Sequence, residues 1–588
     1  MPLPPPDADI LFPPSRSGPA PQVFEMGLVL GGSVSAGAYT AGALDFLLEA
    51  LEAWHAGTPP HRVEIPFSAG ASGGAICAAI LGLLSRKQVR HIAGIDDPAY
   101  VNPAPTGNKL WDIWVNEVDI HPMLDTSDLA VGGPLPSLLN VQTLNNIIGE
   151  MAQFATSAGT FDRPYFPAPY RMAVTLTNMR GVPFRLDVPG IESWSGAAYV
   201  AHDDFARFAI PNGASEAEKR PDEFWVDPGL SANGSDYVDY TIYATYAAAS
   251  GAFPVGLLAR SVQRPSAHYL YRPYVQPREN GYAVDWPQPE WSYVIDPGST
   301  QYAFSCVDGG VFNNDPIALV HRALAGLVGE NPRAPESATR ALFMIDPLAP
   351  KPAHIDPVDT DVMSVIKNLT GFVTGGARYL TADMALIGDP TVFSRFQLAP
   401  TRPDLGLVGE IALAGDFFEA FGGFIHRDFR RHDFLLGRIN MQNYLRTTFI
   451  LRGDNKLFAN WENRPDLIKR FAVDFDGARI MPSDDKSQYF LPVIPDTSYL
   501  GTGPIAAAPN TEILPWPMNS FDPGSLSGAI EKRLDAVLYA LQKQELPGFI
   551  NGLLTGLVGP GLSGLLAGRI VGAMKAEMVV KKLLSPES

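Results

Sequence analysis

One serine stands between glycines in "AGASGGA": Gly70, Ala71, Ser72, Gly73 and Gly74 lie between the apolar run ending at Ser68 and the helix-forming run to Leu84. G-A-S-G-G fits the G-x-S-x-G pattern, in which a tight strand-to-helix turn presents a serine hydroxyl to an acyl substrate. Glycines two before and two after the serine leave room for that turn, and the N–H of Gly73 then sits at the head of a helix beside the hydroxyl. The competing reading is a small-residue packing turn with an incidental serine. A serine becomes a nucleophile at neutral pH only with a base at hand. Asp308 ends an apolar strand, "YAFSCVDGG", and is followed by two glycines, so its carboxylate is free to face another strand end; an Asx turn is the alternative. None of the ten histidines lies in a glycine-rich turn. A carboxylate can therefore be the base directly, if burial raises its pKa and holds it within hydrogen-bond reach.

A third glycine-rich turn, "LGGSVSAGAYTAG" (Leu30 to Gly42), joins a strand to a helix. Such a loop offers unpaired N–H groups at the positive end of a helix dipole, suited to a phosphate or to the oxyanion of a tetrahedral intermediate. It matches neither GxxxxGK[ST] nor GxGxxG. In "VDGGVFNNDP", Asp315 precedes Pro316 and an apolar run, the pattern of a helix N-cap with proline in the first turn.

These residues need elements to hold them. "VFEMGLVL" (Val23 to Leu30) reads as a strand, and Leu44, Leu47, Leu48 and Leu51 fall at helical spacing after it. A strand ending near Ser68 and a helix to Leu84 repeat the unit, which implies an α/β sheet with mainly parallel strands. Further strands are expected at Arg171 to Asn178, before Asp308 and at Ala341 to Asp346. Helices are expected over "YTIYATYAAASGAF" up to Pro254 and from Pro316. Residues 1–22 read as a Pro-rich flexible tail. Residues 23–350 read as the α/β domain that carries these turns, with irregular insertions near 88–167 and 191–239. Residues 351–588 read as a mainly helical region packing on the core, with segments near Val362 to Leu386, Ile411 to Phe421 and Leu526 to Lys543.

The chain has 588 residues, two cysteines (Cys77 and Cys306) and a net charge of −18. Two thiols make no disulfide framework, and the acidic balance argues against nucleic-acid binding. No secretory signal opens the chain and no long glycine- and proline-free apolar stretch suggests a spanning helix, so a cytoplasmic location is expected. The segment Leu546 to Leu584 could lie at a membrane surface through Leu566, Ile570, Met574 and Met578, or dock on the core as an ordinary helix. The locally basic run His426 to Arg446 reads as a solvated or salt-bridged helix face. No ligand spacing points to a metal, and no cofactor is expected.

Four blocks in order, "LGGSVSAGAYTAGAL", "GASGG", "YAAASGAFPVGL" and "DGGVFNNDPIALV", resemble the patatin-like phospholipase family. The resemblance implies a three-layer α/β/α lipid acyl hydrolase of lipid degradation, cleaving a phospholipid or other lipid ester through an acyl-enzyme. It implies a Ser–Asp catalytic dyad, Ser72 as nucleophile and Asp308 as base, with oxyanion donors from Gly32 and Ser33 besides Gly73. The first loop departs from the family's usual G-G-G-x-R/K-G: Gly32, Ser33, Val34, Ser35 and Ala36 precede Gly37, with Ala36 at the basic position. The long separation of Ser72 from Asp308 is taken up by the two insertions, which are placed to shape an acyl pocket. Rivals are a transacylase using the same serine, a histidine-assisted esterase and a non-catalytic lipid-binding scaffold.

Overall fold

The computed structural model describes residues 5, 7–129, 134–157, 159–186, 197–231, 236–295, 299–349, 385–497, 514–543 and 562–586. Its centre is one large sheet. Strands β1 (Val23–Leu30), β2 (Arg62–Glu64), β3 (Phe67–Gly70), β4 (Tyr170–Leu186), β5 (Ala197–Ile210), β6 (Glu223–Val226), β7 (Tyr237–Val238) and β8 (Arg260–Pro265) belong to it. After a separate hairpin of β9 (Tyr274–Arg278) and β10 (Gly281–Asp285) come β11 (Gln301–Asp308), β12 (Arg340–Ile345) and β13 (Arg395–Leu398). The order is β13-β12-β1-β3-β4-β5-β6-β7, with β11 joining antiparallel to β4 and β8 pairing on β11. The run from β13 to β4 is parallel throughout. β1 and β3 therefore end side by side, which brings the loops after Leu30 and Gly70 together at one sheet edge.

Both faces are covered, as a parallel sheet requires. Within β1, Phe24, Met26, Leu28 and Leu30 belong to one apolar cluster and Val29 to the other; in β12, Phe343 and Ile345 face the first, Leu342 and Met344 the second. Helix α1 (Gly37–His55) and α2 (Gly73–Leu84) pack on the first face, while Ile317, Leu319, Val320 and Leu324 of α5 (Ile317–Ala325) cover the second. Between them in the chain come α3 (Gln142–Thr156) and α4 (Tyr240–Ser250), the latter capped by Asp239, which accepts from the Ile242 N–H at 2.8 Å. Helix α1 is buried almost all round, because α6 (Arg427–Thr447) covers its outer side. That contact is close: a Cβ on Gly42 would lie 1.8 Å from the Phe434 carbonyl oxygen, and one on Gly437 would lie 2.1 Å from that of Tyr39.

Several expectations are corrected. The described part of 191–239 contains the 14-residue strand β5, antiparallel to β4, along with β6 and β7. Asp203 and Asp204 hide the strand in the sequence; Asp204 is buried among Arg264, Arg272 and Tyr269, each supplied from elsewhere in the chain. Segment 411–421 is no helix: a 3₁₀ turn at Glu410–Ala412 leads into Phe418, Glu419 and Ala420, all three with left-handed φ. Helix α4 ends at Ser250, before Pro254. Asp315 makes no side-chain cap; Pro316 is the cap of α5, and Asp315 turns back towards Gly31, whose Cβ would lie 2.7 Å from its Oδ1. The described residues of the amino-terminal stretch are not a free tail. Ala8 is buried with Trp286 and Leu327, Phe12 packs beside Trp286, and the Leu327 N–H donates to Pro13 at 3.0 Å.

In the carboxy-terminal region, β13 extends the main sheet, and the basic run is α6. Of the two readings the salt-bridged one holds for three of its arginines, which are buried and paired: Arg430 with Asp119, Arg438 with Asp45 and Glu49, Arg446 with Asp496. Helix α7 (Ser527–Gln542) packs on α8 (Leu562–Val580), which docks through Ala567, Val571, Met574 and Met578. The buried stripe keeps Met574 and Met578 and leaves Leu566 and Ile570 half-buried at its side. Of the expected helix at 362–386, residues up to 384 lie outside the described residues, as does 546–561. No described helix is long and apolar enough to cross a membrane.

Candidate active site

Ser72 sits between β3 and α2 with φ 51° and ψ −126°, a conformation a non-glycine residue adopts only under local constraint. The constraint is visible in its neighbours. A Cβ on Gly70 would lie 2.3 Å from the Gly74 carbonyl oxygen, and one on Gly74 would lie 2.3 Å from that of Leu30. The turn can thus close only with glycine at both positions. The Ser72 N–H donates to Ser250 Oγ at 2.9 Å, which fixes the backbone of the turn from the end of α4.

The Ser72 hydroxyl donates to Asp308 Oδ2 at 2.6 Å. The other carboxylate oxygen, Oδ1, accepts from the Gly310 N–H at 2.7 Å. Asp308 is held through its backbone as well: its N–H donates to the Ala252 carbonyl at 2.9 Å, and its own carbonyl accepts from Thr177 Oγ1 at 2.7 Å. The Gly309 N–H donates to the Ser250 carbonyl at 3.1 Å. Residues 250–252 therefore hold both strand ends. The sequence alone does not single out Ser250 or Thr177. Ser250 lies in the block "YAAASGAFPVGL", a signal of its neighbourhood though not of its hydrogen bonds.

Burial raises the Asp308 carboxyl to about 6, against the opposing pull of its hydrogen bonds from Ser72 and Gly310. Among the described residues no imidazole lines either cavity at Ser72. His61 is buried against Trp461 and the Val493 carbonyl, His268 lies beside Arg264 and Asp236, and His321 beside Arg395 and Gly329.

The glycine-rich loop after Leu30 runs past the same point. The N–H of Gly32 is occupied by the Asn314 carbonyl at 3.1 Å, so it is not free for a ligand. Those of Ser33 and Gly73 donate to no backbone carbonyl among the described residues. Val34, a β-branched residue, takes φ 46°, and Ser35 is tied by its N–H and its hydroxyl to the Ala420 carbonyl.

Two cavities meet at Ser72 and Asp308. The wider, about 770 Å³, is bounded by Ser33 and Val34 on one side and on the other by the Asp416–Phe421 loop and the end of α8. Lys581 pairs with Asp416 there, and the Phe418 N–H donates to Glu577 at 2.5 Å. The narrower, about 50 Å³, is almost wholly apolar and is walled by Ile113, Trp114, Met123, Leu144 and Ile147 from the 88–167 stretch. The described residues of 191–239 line neither cavity. No group of three or more His, Cys, Asp or Glu among the described residues is placed to hold a metal ion.

A model of a family described as "Patatin-like phospholipase" matches residues 28–321, half the chain. A protein of Sinorhizobium fredii (strain NBRC 101917 / NGR234), "Uncharacterized protein y4iI", is 29% identical over 469 residues, 72% of this chain and 64% of that one. The chain thus spans less than two thirds of that relative's length. Among solved structures, VipD from Legionella pneumophila is similar over 71% of this chain and 67% of its own at 12% identity, with a TM-score of 0.20.

Proposed function

The chain belongs to the patatin-like phospholipase family, and from that footing we propose that it hydrolyses carboxylic esters of lipids, with Ser72 as nucleophile and Asp308 as general base. The observation that carries this reading is the 2.6 Å hydrogen bond from the Ser72 hydroxyl to a buried carboxylate. A carboxyl lifted towards neutrality is a better proton acceptor than an exposed aspartate and remains ionised at pH 7.

In the proposed reaction the ester carbonyl lies over Ser72, with the acyl carbons next to it against the narrow apolar cavity and the remainder of the lipid in the wider one. Ser72 Oγ bonds to the carbonyl carbon while its proton passes to Asp308, and the carbonyl π pair moves onto oxygen. The N–H groups of Gly73 and Ser33 face that oxyanion. Collapse breaks the ester C–O bond, the alcohol leaves with the proton from Asp308, and an acyl-Ser72 remains. Water then attacks, Asp308 takes its proton, and collapse returns the serine and the fatty acid. Gly32, whose N–H is already committed, keeps a structural part.

The mouth of the wide cavity suits a lipid surface. Val580 lines it and is 82% exposed, and exposed Val255 and Phe312 follow directly on the lining residues Pro254 and Val311. The test is covalent labelling with a fluorophosphonate together with turnover of defined phospholipids. Wild type is expected to label and to release fatty acid, and Ser72→Ala to do neither. An unlabelled, inert wild-type protein would count against the reading.

A further inference from the structure

Ser33 is wholly buried, and its hydroxyl has no hydrogen-bond partner among the described residues. A buried polar group left unpaired costs stability, so its presence asks for a reason. Its position supplies one. The Oγ lies against Gly73, where a Cβ would come within 2.3 Å of it, and Gly73 is the residue whose N–H heads α2 beside the nucleophile. Ser33 and Ser72 line the same cavity. The Ser33 carbonyl is already used by the Ala36 N–H at 2.8 Å, which fixes the loop and leaves the hydroxyl and the amide of Ser33 on offer. The neighbouring Gly32 amide is taken by Asn314.

We propose that the Ser33 hydroxyl is a third donor to the oxyanion, a side-chain group working with the Ser33 and Gly73 amides. This rests on the reading of Ser72 as nucleophile. As the carbonyl carbon becomes tetrahedral its oxygen gains charge, and Ser33 Oγ–H donates to that oxygen without transferring its proton. The hydroxyl lacks a partner in the free protein and acquires one only as charge develops. Its contribution therefore falls on the transition state, lowering the barrier without tightening substrate binding.

The experiment compares the purified full-length wild type with Ser33→Ala and Ser33→Cys, measuring kcat and KM on a soluble p-nitrophenyl ester and the thermal midpoint of each. Ser33→Ala is expected to lower kcat by about 100-fold with KM within about twofold. Its thermal midpoint should stay level or rise, because the substitution removes an unpaired buried hydroxyl. Ser33→Cys, a weaker donor, should fall between the two. The proposal is overturned if Ser33→Ala keeps kcat within about threefold of wild type, or if its thermal midpoint falls while kcat and KM change together, the pattern of a packing residue. Should Ser33→Ala fail to fold, Ser33→Cys decides: a tenfold or greater drop in kcat supports the proposal and a smaller one overturns it. Wild type inert towards both ester and fluorophosphonate would instead remove the Ser72 reading on which this one stands. An active, Ser72-dependent wild type matched by Ser33→Ala removes this one alone.

Discussion

At the scale of single residues, the proposed chemistry turns on how Asp308 is kept. Its raised carboxyl means that the folded state favours the neutral form more than the unfolded chain does. The folded protein therefore loses stability as pH climbs from the unfolded value near 4 through about 6, and the whole penalty is present above that. A shift of roughly two units corresponds to about 3 kcal/mol. Asp308→Asn is accordingly expected to gain up to that much in urea unfolding at pH 7 while losing about 10²–10⁴-fold in kcat. In wild type, kcat/KM should rise through pH 6 and level off above it. A flat profile from pH 5 to 8 would argue against Asp308 as the base. The serine and the aspartate were legible in the sequence because glycine spacing is a local signal. Ser250 and Thr177 were not, since a hydrogen bond to a residue far along the chain leaves no trace in composition. Gly32 illustrates the opposite case. Its loop was legible, but only the fold reveals that Asn314 has already claimed its amide.

At the scale of elements, the contact between α1 and α6 joins the family-matched segment to the region beyond it. Asp45 of α1 is wholly buried and meets Arg438 of α6, His91 Nδ1 at 2.8 Å and Asn108 Nδ2 at 2.8 Å. Burial opposes charge on His91, but Asp45 and Glu52 outweigh it and raise the imidazole to about 9. A histidine raised in the folded state contributes stability that is complete below its unfolded value near 6.5 and is lost as pH rises through 9. The thermal midpoint should therefore fall between pH 6.5 and 9.5, and His91→Gln should flatten that fall. Arg438→Ala, which removes the cation beside buried Asp45, is expected to cost about 3–5 kcal/mol in chemical denaturation. The strands β1, β3 and β11 could be read from apolar runs that end in or just before glycine, and β12 from the apolar run closed by Asp346 and Pro347. Two other elements could not. β5 carries Asp203 and Asp204, and the pairing that neutralises Asp204 comes from Arg264 and Arg272. Segment 411–421 has a helix-like apolar content, but the carboxylate of Asp433 captures the Ala414 and Gly415 amides at 2.7 and 2.9 Å, and three left-handed residues follow.

At the scale of the whole molecule, the wide cavity has walls from both ends of the chain. Ser33 and Ser72 come from the first strands, and Lys581 and Val580 from the last described helix and the turn after it. Val580 is exposed at the mouth, so Val580→Asp should lower turnover of phospholipid vesicles at least tenfold and leave hydrolysis of a soluble ester within about twofold. Equal losses on both substrates would place Val580 in the chemistry and not at the lipid surface.

That shared wall also bears on the protein's history as it is made. A nascent chain that has emerged past Asp308 already carries both members of the Ser72–Asp308 pair, yet the Asp416–Phe421 loop and Lys581 are still to be translated. A ribosome stalled between those points would hold both residues of the pair without the far wall of the wide cavity. The wide cavity has all its walls only when synthesis has passed Lys581.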